Sequence, residues 1–177
     1  HGGSTVIGGW DDVMPTAYEE VFALTKKQAD ATTSGNTVIA GIGGNSLWRY
    51  DSPSVSGVSV HAAYHATESA ASGKTPAKVS SYHDMGVQYA PEMVDGLTLG
   101  YAAGEVDESA SLGGVVVSGI DESTMWVKYT TGGFTLGYQA SEADGATSTQ
   151  DDDSTSYGIS YAVSDALSVS YGEHEMD

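Results

Sequence analysis

The chain has 177 residues, 40% of them apolar, and is long enough to bury a core as one domain. Six Lys and Arg stand against 24 Asp and Glu, and this net charge of -18 repels phosphate backbones and argues against nucleic acid as a partner. The absence of cysteine excludes disulfides and thiolate chemistry. No run of 18 apolar residues occurs, so any membrane span has to be a closed barrel of strands.

Residues 1–44 lack the alternation of a strand, and we interpret them as the end of a strand followed by a loop. One helical turn is predicted near residues 17–24. The first residues show neither the basic nor the apolar region of a signal peptide, so an exported protein would be present here as a mature or internal piece. Four carboxylates lie close together in this part of the chain: Asp11, Asp12, Glu19 and Glu20.

Residues 45–177 alternate apolar and polar side chains with a period of two, which predicts half-buried strands. The glycines and tyrosines of the segments that begin at Leu97 and Phe134 follow one template, so the unit repeats. The eight predicted strands are 45–50, 58–66, 82–90, 97–105, 124–130, 134–142, 156–163 and 167–175.

The predicted connections alternate between short and long. The short ones are 51–57, 91–96, 131–133 and 164–166, and the long ones are 67–81, 106–123 and 143–155. A soluble sandwich has no reason to separate loop lengths by end, whereas an outer-membrane barrel has tight periplasmic turns and longer extracellular loops. This contrast is the feature that most favours an all-β transmembrane antiparallel barrel.

The two faces of the predicted strands differ in chemistry. One face is apolar and nearly uncharged, with Tyr89, Tyr129 and Tyr161 placed near the short turns, where an amphipathic ring suits the headgroup level of a membrane. Packing of these tyrosines in a sandwich core is the alternative. The other face is polar and suits a water-filled lumen. Its predicted lumen-lining residues include His61, His65, Asp84, Gln88 and Gln139.

Two motifs suggest metal binding, and neither is strong. His61 and His65 share a strand face but are about 13 Å apart at roughly 3.3 Å per residue, too far for one metal. The run Asp151-Asp152-Asp153 offers ligands for Ca²⁺ but lacks the spacing and glycine of an EF-hand. A solvated extracellular loop is the favoured interpretation, with Ca²⁺ at such acidic loops as the alternative. No catalytic arrangement stands out, so an enzyme is not expected.

Two segments resemble the general bacterial porins, in particular the α-proteobacterial type. Residues 49–57, Arg-Tyr-Asp-Ser-Pro-Ser-Val-Ser-Gly, look like the strand and turn that follow the constriction loop, and residues 157–171 look like a late porin hairpin. The resemblance covers most of 45–175. It implies a barrel of sixteen strands when complete, of which eight or nine are present here, so we expect an incomplete domain and an internal fragment.

The resemblance also implies a function. The acidic stretch 11–20 is similar to the inward-folded third loop, and its carboxylates Asp11, Asp12, Glu19 and Glu20 would face a basic wall of Arg49 and Lys128 in a pore constriction. We expect passive diffusion of ions and small hydrophilic solutes, with cations preferred. A homotrimer, the lipid bilayer and lipopolysaccharide of the bacterial outer membrane are the implied partners. A secreted acidic β-sandwich or adhesin is the alternative.

Overall fold

A computed structural model describes residues 3–10, 13–15, 39, 43–44, 47–66, 68–69, 78–79, 81–106, 109–110, 116–117, 119–145 and 151–176. Within these ranges the secondary structure is all β apart from one 3-10 turn at Ile7–Gly9. None of them forms a helix long and apolar enough to cross a membrane. The predicted all-β class is confirmed.

Eight strands form one antiparallel sheet in which each strand pairs with its neighbours in the chain. All eight predicted strands are therefore present, in the sequential order of an up-and-down meander. Within the described residues, three ladders of two residues per strand lie outside this sheet. The eight strands are β1 (Leu47–Asp51), β2 (Val58–His65), β3 (Tyr82–Tyr89), β4 (Leu97–Val106), β5 (Ile120–Thr131), β6 (Phe134–Asp144), β7 (Asp152–Ser164) and β8 (Leu167–Met176).

The short connections gather at one end of the sheet and match the predicted turns to within one residue. They span 52–57, 90–96, 132–133 and 165–166. Gly132 and Gly133 have φ of 55° and 85°, and Ser56 and Gly57 have φ of 51° and 80°. Positive φ at both central residues is what a type I′ hairpin turn requires, and its twist matches that of the flanking strands.

The same turns are joined to one another by a repeated backbone hydrogen bond. The Gly57 carbonyl accepts from the Ala90 N–H at 2.8 Å, and the Gly96 carbonyl accepts from the Thr130 N–H at 2.9 Å. A third bond of 2.9 Å runs from the Ala162 N–H to the Gly133 carbonyl. Three of the four short turns are thereby tied to the strand end that leads into the next short turn.

At the opposite end the predicted boundaries are wrong by several residues. β5 already begins at Ile120, β6 continues to Asp144, and β7 begins at Asp152, so the predicted loop 143–155 shrinks to 145–151. That connection is no longer than the turn 90–96. Acidic residues have low strand propensity, but here they extend existing ladders, and pairing overrides propensity. The contrast in loop length survives in 66–81 and 107–119.

The two faces of the sheet show the reverse of the pattern of a soluble protein. One face, which we call the apolar face, is open, and Met85 and Tyr171 are 67% and 62% exposed on it. The opposite face, which we call the polar face, contains the buried side chains, and Asp84 and Gln139 are 1% exposed there. Other large side chains exposed on the apolar face include Val60, Tyr64, Tyr89, Leu99, Tyr101, Met125, Phe134, Leu136, Tyr138, Ile159, Tyr161 and Val169.

This inversion does not support the sandwich alternative. A β-sandwich buries its apolar face against a second sheet. Across the described ranges, no second sheet covers the apolar face, and the remaining ladders contain two residues per strand. An open apolar face with a buried polar one is the arrangement of a barrel with lipid outside and polar groups inside.

A pair of adjacent residues tests the inversion. Ile159 lies on the apolar face between Tyr157 and Tyr161, while Ser160 lies on the polar face beside Thr135 and Ser170. We expect Ile159→Arg to destabilise the folded protein in lipid by about 2–4 kcal/mol and Ser160→Arg to have little effect, because lipid penalises the charge and lumen water does not. Urea titration in vesicles measures both. Equal losses from the two variants would contradict this assignment of faces.

Candidate functional site on the polar face

An inner segment, defined here as residues 5–10 and 13–15, lies across the polar face. The Arg49 Nη1 atom of β1 donates to the Thr5 carbonyl at 3.0 Å. The Ile7 N–H donates to Asp84 Oδ2 of β3 at 2.8 Å, and the Val13 N–H donates to Gln139 Oε1 of β6 at 3.1 Å. The segment is thus held by side chains from strands at both sides of the sheet.

Trp10 packs the inner segment against the polar face. Its ring meets His61 edge-on at a centroid distance of 5.3 Å and Trp126 at 5.6 Å. Edge-to-face rings attract through their quadrupoles and bury a large area. The buried apolar cluster around this contact consists of Val6, Ile7, Trp10, Ile39, Ala63, Ala102, Trp126 and Ala143.

Two glycines make room for the inner segment. A Cβ atom on Gly86 would lie 2.8 Å from side-chain atoms of both Trp10 and Val6, and one on Gly137 would lie 2.6 Å from Pro15 Cδ. Carbon atoms at such distances overlap, so a side chain at either position would push the segment away from the sheet. Missing side chains in the strands are therefore a condition for the docking of the segment.

Gln139 binds the backbone of the inner segment at two points. Its Nε2 donates to the Trp10 carbonyl at 2.6 Å and to Thr124 Oγ1 at 3.0 Å, while its Oε1 accepts from Val13. Thr124 Oγ1 lies 2.9 Å from Ser141 Oγ. A buried amide with its donors and acceptor all used has a fixed orientation.

Acidic groups lie beneath the start of the inner segment. Tyr82, fully buried, places its hydroxyl 3.4 Å from both Asp84 Oδ2 and Glu122 Oε2. Asp84 Oδ1 is buried, and no group in the described ranges forms a hydrogen bond with it. The hydrogen bonds from Ile7 and Tyr82 therefore converge on one carboxylate oxygen.

A charged cluster occupies the short-turn side of β1 and β2. Arg49 Nη2 and Asp51 Oδ1 are 3.0 Å apart, and His61 Nδ1 lies 2.6 Å from the same Asp51 oxygen. Ser59 Oγ is 3.2 Å from His61 Nε2. Arg49 is 29% exposed and Asp51 49% exposed, so solvent screens this pair. Arg49 links this cluster to the inner segment through the Thr5 carbonyl.

The structure brings several of the sequence-predicted residues together and leaves others apart. Arg49, His61, Asp84 and Gln139 all contact the inner segment. Lys128 stands 6.0 Å from the Trp126 ring centroid. Other predicted residues have fewer contacts: His65 is buried between Leu47 and Tyr82, with no hydrogen-bond partner for its Nδ1 in the described part, and Gln88 is half-buried in the row of Ser59 and Gly100.

The four predicted constriction carboxylates Asp11, Asp12, Glu19 and Glu20, together with the predicted helical turn at 17–24, lie outside the described residues. Sequence reasoning missed Trp10, Tyr82, Glu122 and Trp126, and it placed Asp51 in a turn although it ends β1. The alternation of strand faces could have identified two of them, because Trp126 and Glu122 are an even number of residues from Lys128 and therefore lie on the same face.

The acidic run at 151–153 does not gather its side chains on one side. Asp152 is buried on the polar face, Asp153 is exposed on the opposite face, and Asp151 Oδ1 accepts from the Gly145 N–H at 3.2 Å. Adjacent strand residues point to opposite faces, so Asp152 and Asp153 cannot share an ion. No group of three or more His, Asp or Glu side chains suited to a metal occurs in the described ranges.

A substitution at Asp84 tests the docking of the inner segment. We expect Asp84→Ala to destabilise the protein by about 1–3 kcal/mol, because the buried Ile7 N–H loses its acceptor, and Asp84→Asn to cost less, because an amide oxygen can still accept. Unfolding in detergent, followed by the near-ultraviolet circular dichroism of the Trp10 and Trp126 pair, measures both. Identical losses for Ala and Asn would show that the hydrogen bond does not hold the segment.

The comparison with known families agrees with this geometry. The sequence profile described as Gram-negative porin matches residues 3–177, which include both the inner segment and all eight strands. A search of curated proteins finds no match. The predicted α-proteobacterial type stays a prediction. A match over nearly the whole chain, on a sheet that is apolar outside and polar inside, shows that the chain belongs to the Gram-negative porin family.

Proposed function

We propose that the polar face lines a water-filled channel through which ions and small hydrophilic solutes diffuse passively. Membership of the Gram-negative porin family places the chain in the bacterial outer membrane and indicates a channel rather than an enzyme. The observation that supports the proposal most is the burial of polar groups behind an exposed apolar face. Lipid accepts such an outer face, and water accepts such an inner one.

We further propose that the channel prefers cations. The polar face of the eight strands carries the carboxylates Asp51, Asp84, Glu122 and Asp152 and only two permanent cations, Arg49 and Lys128. Low-dielectric walls focus the field of such charges onto a permeating ion. The whole chain also has a negative net charge, -18, which attracts cations in the same way.

The proposed constriction combines the inner segment with the basic wall. Asp11, Asp12, Glu19 and Glu20 would form its acidic side, and Arg49 and Lys128 its basic side. Support comes from the residues next to the acidic pair, since Trp10 and Val13 are both bound to Gln139 on the polar face. Arg49 and Lys128 also lie on this face.

The lipid bilayer, lipopolysaccharide and a homotrimeric assembly are the proposed partners. The exposed apolar face suits the acyl chains. Beyond its apolar part, towards the longer connections, the same face carries the exposed carboxylates Glu105, Glu142 and Asp153. Carboxylates repel lipid phosphates, so a contact with lipopolysaccharide at this height would need divalent cations such as Ca²⁺ as bridges.

Recordings in planar bilayers test the proposed channel. We expect the unmodified protein to conduct ohmically and to favour cations in a salt gradient. The double variant Asp11→Asn/Asp12→Asn is expected to lower the cation-to-anion permeability ratio by about twofold or more, because it removes charge from the constriction.

The matched control removes the same charge from the apolar face. Glu142→Gln/Asp144→Asn alters two exposed carboxylates of β6 that do not face the polar side, so the permeability ratio should stay close to that of the unmodified protein. No conductance under any condition, or a preference for anions, would refute the proposed channel or its selectivity. An equal fall for both double variants would refute the constriction.

A further inference from the structure

We infer that Gln139 is a positioning residue that sets the ion preference of the channel by fixing the inner segment on both sides of Asp11 and Asp12. The inference rests on the proposed function. Nothing in the sequence pattern singles out Gln139 from the other polar residues of its face. Its contacts do.

Gln139 uses both ends of one amide group to hold two neighbouring points of the backbone. Its Nε2 donates to the Trp10 carbonyl at 2.6 Å, and its Oε1 accepts from the Val13 N–H at 3.1 Å. Only Asp11 and Asp12 stand between these two backbone groups in the sequence. One side chain therefore fixes the Trp10 carbonyl and the Val13 N–H relative to each other.

The side-chain amide of Gln139 cannot rotate by 180° without losing its hydrogen bonds to the inner segment. In the present orientation Nε2 faces two acceptors, the Trp10 carbonyl and Thr124 Oγ1, at 2.6 and 3.0 Å. The reversed orientation would place Oε1 against the Trp10 carbonyl and Nε2 against the Val13 N–H, so acceptor would meet acceptor and donor would meet donor. Gln139 is 1% exposed, so water cannot replace the lost bonds.

Three other anchors of the inner segment precede the acidic pair in the chain. Arg49 binds the Thr5 carbonyl, Asp84 binds the Ile7 N–H, and the Trp10 ring packs against Trp126, all before Asp11 in the chain. Gln139 instead binds the residues on either side of the pair in the sequence, Trp10 and Val13. Its loss is therefore expected to alter where the two carboxylates stand in the channel more than whether the segment docks.

The chain offers a matched control. Gln88 is the same residue type, lies on the polar face, and belongs to the same row of paired residues, which runs from Gln139 through Trp126 and Gly100 to Gln88. Its position on β3 is half-buried. Replacing Gln88 removes one side-chain amide from the polar face, as replacing Gln139 does, but leaves the hydrogen bonds of Gln139 to Trp10 and Val13 in place.

The experiment compares Gln139→Met with Gln88→Met in planar bilayers. Methionine keeps the length of glutamine and removes both the donor and the acceptor. For Gln139→Met we expect the cation-to-anion permeability ratio to fall by roughly twofold or more, with greater open-channel current noise, because the field at the ion depends on where the carboxylates stand. Gln88→Met should match the unmodified protein in both quantities.

A second variant covers the case in which Gln139→Met does not fold. Thr124→Val removes the hydroxyl that holds Nε2 and leaves both bonds of Gln139 to the inner segment available, so a smaller change in the same direction is expected. A purely structural role of Gln139 would lower the unfolding temperature and leave the permeability ratio unchanged, and that result would overturn the inference. Equal shifts in Gln139→Met and Gln88→Met would also overturn it. Absence of conductance in the unmodified protein would instead refute the proposed channel.

Discussion

The register of the antiparallel ladders decides which side of the sheet every side chain meets. Successive strand residues point to opposite faces, so a slip of one residue in one strand would move its polar set into lipid. The register holds across strands that are distant in sequence. Asp84 on β3 and Gln139 on β6 point to the same side, and this shared direction lets them bind one segment at two places.

The polar face is not a uniform wall, because side-chain size varies strongly along it. Gly86 and Gly137 leave the space that Trp10 and Pro15 occupy, although a glycine weakens the strand that contains it. Large residues fill the space over other glycines, because a Cβ atom on Gly100 would lie 2.3 Å from the Trp126 ring and one on Gly104 would lie 2.5 Å from the Tyr82 hydroxyl. The strands therefore give up some local stability, and the docked segment with its apolar cluster offsets that loss.

Most of the fold could be predicted from local patterns in the sequence. Alternation placed all eight strands, and glycine and proline placed the short turns to within a residue, because both signals act over a few neighbours. Strand ends near Asp144 and Asp152 were misplaced, since propensity does not register the pairing partner that stabilises an acidic strand end.

The docking of the inner segment on the polar face could not be predicted from such patterns. Gln139 and Trp10 are 129 residues apart in the chain, and no local sequence pattern around either residue predicts their hydrogen bond. Parity put Gln139 and Asp84 on the polar face, but it could not say which of the polar residues would bind backbone and which would face water.

The glycine carbonyls of the short turns have a consequence for how such sheets change size. The carbonyls of Gly57, Gly96 and Gly133 each accept one bond from the strand end that leads into the next short turn, so three of the four hairpins carry an attachment point for the next hairpin. A duplicated hairpin would bring two strands and a ready-made attachment with it. Recombination between repeats could then widen or narrow a barrel in steps of two strands, while the backbone hydrogen bond between neighbouring hairpins is kept.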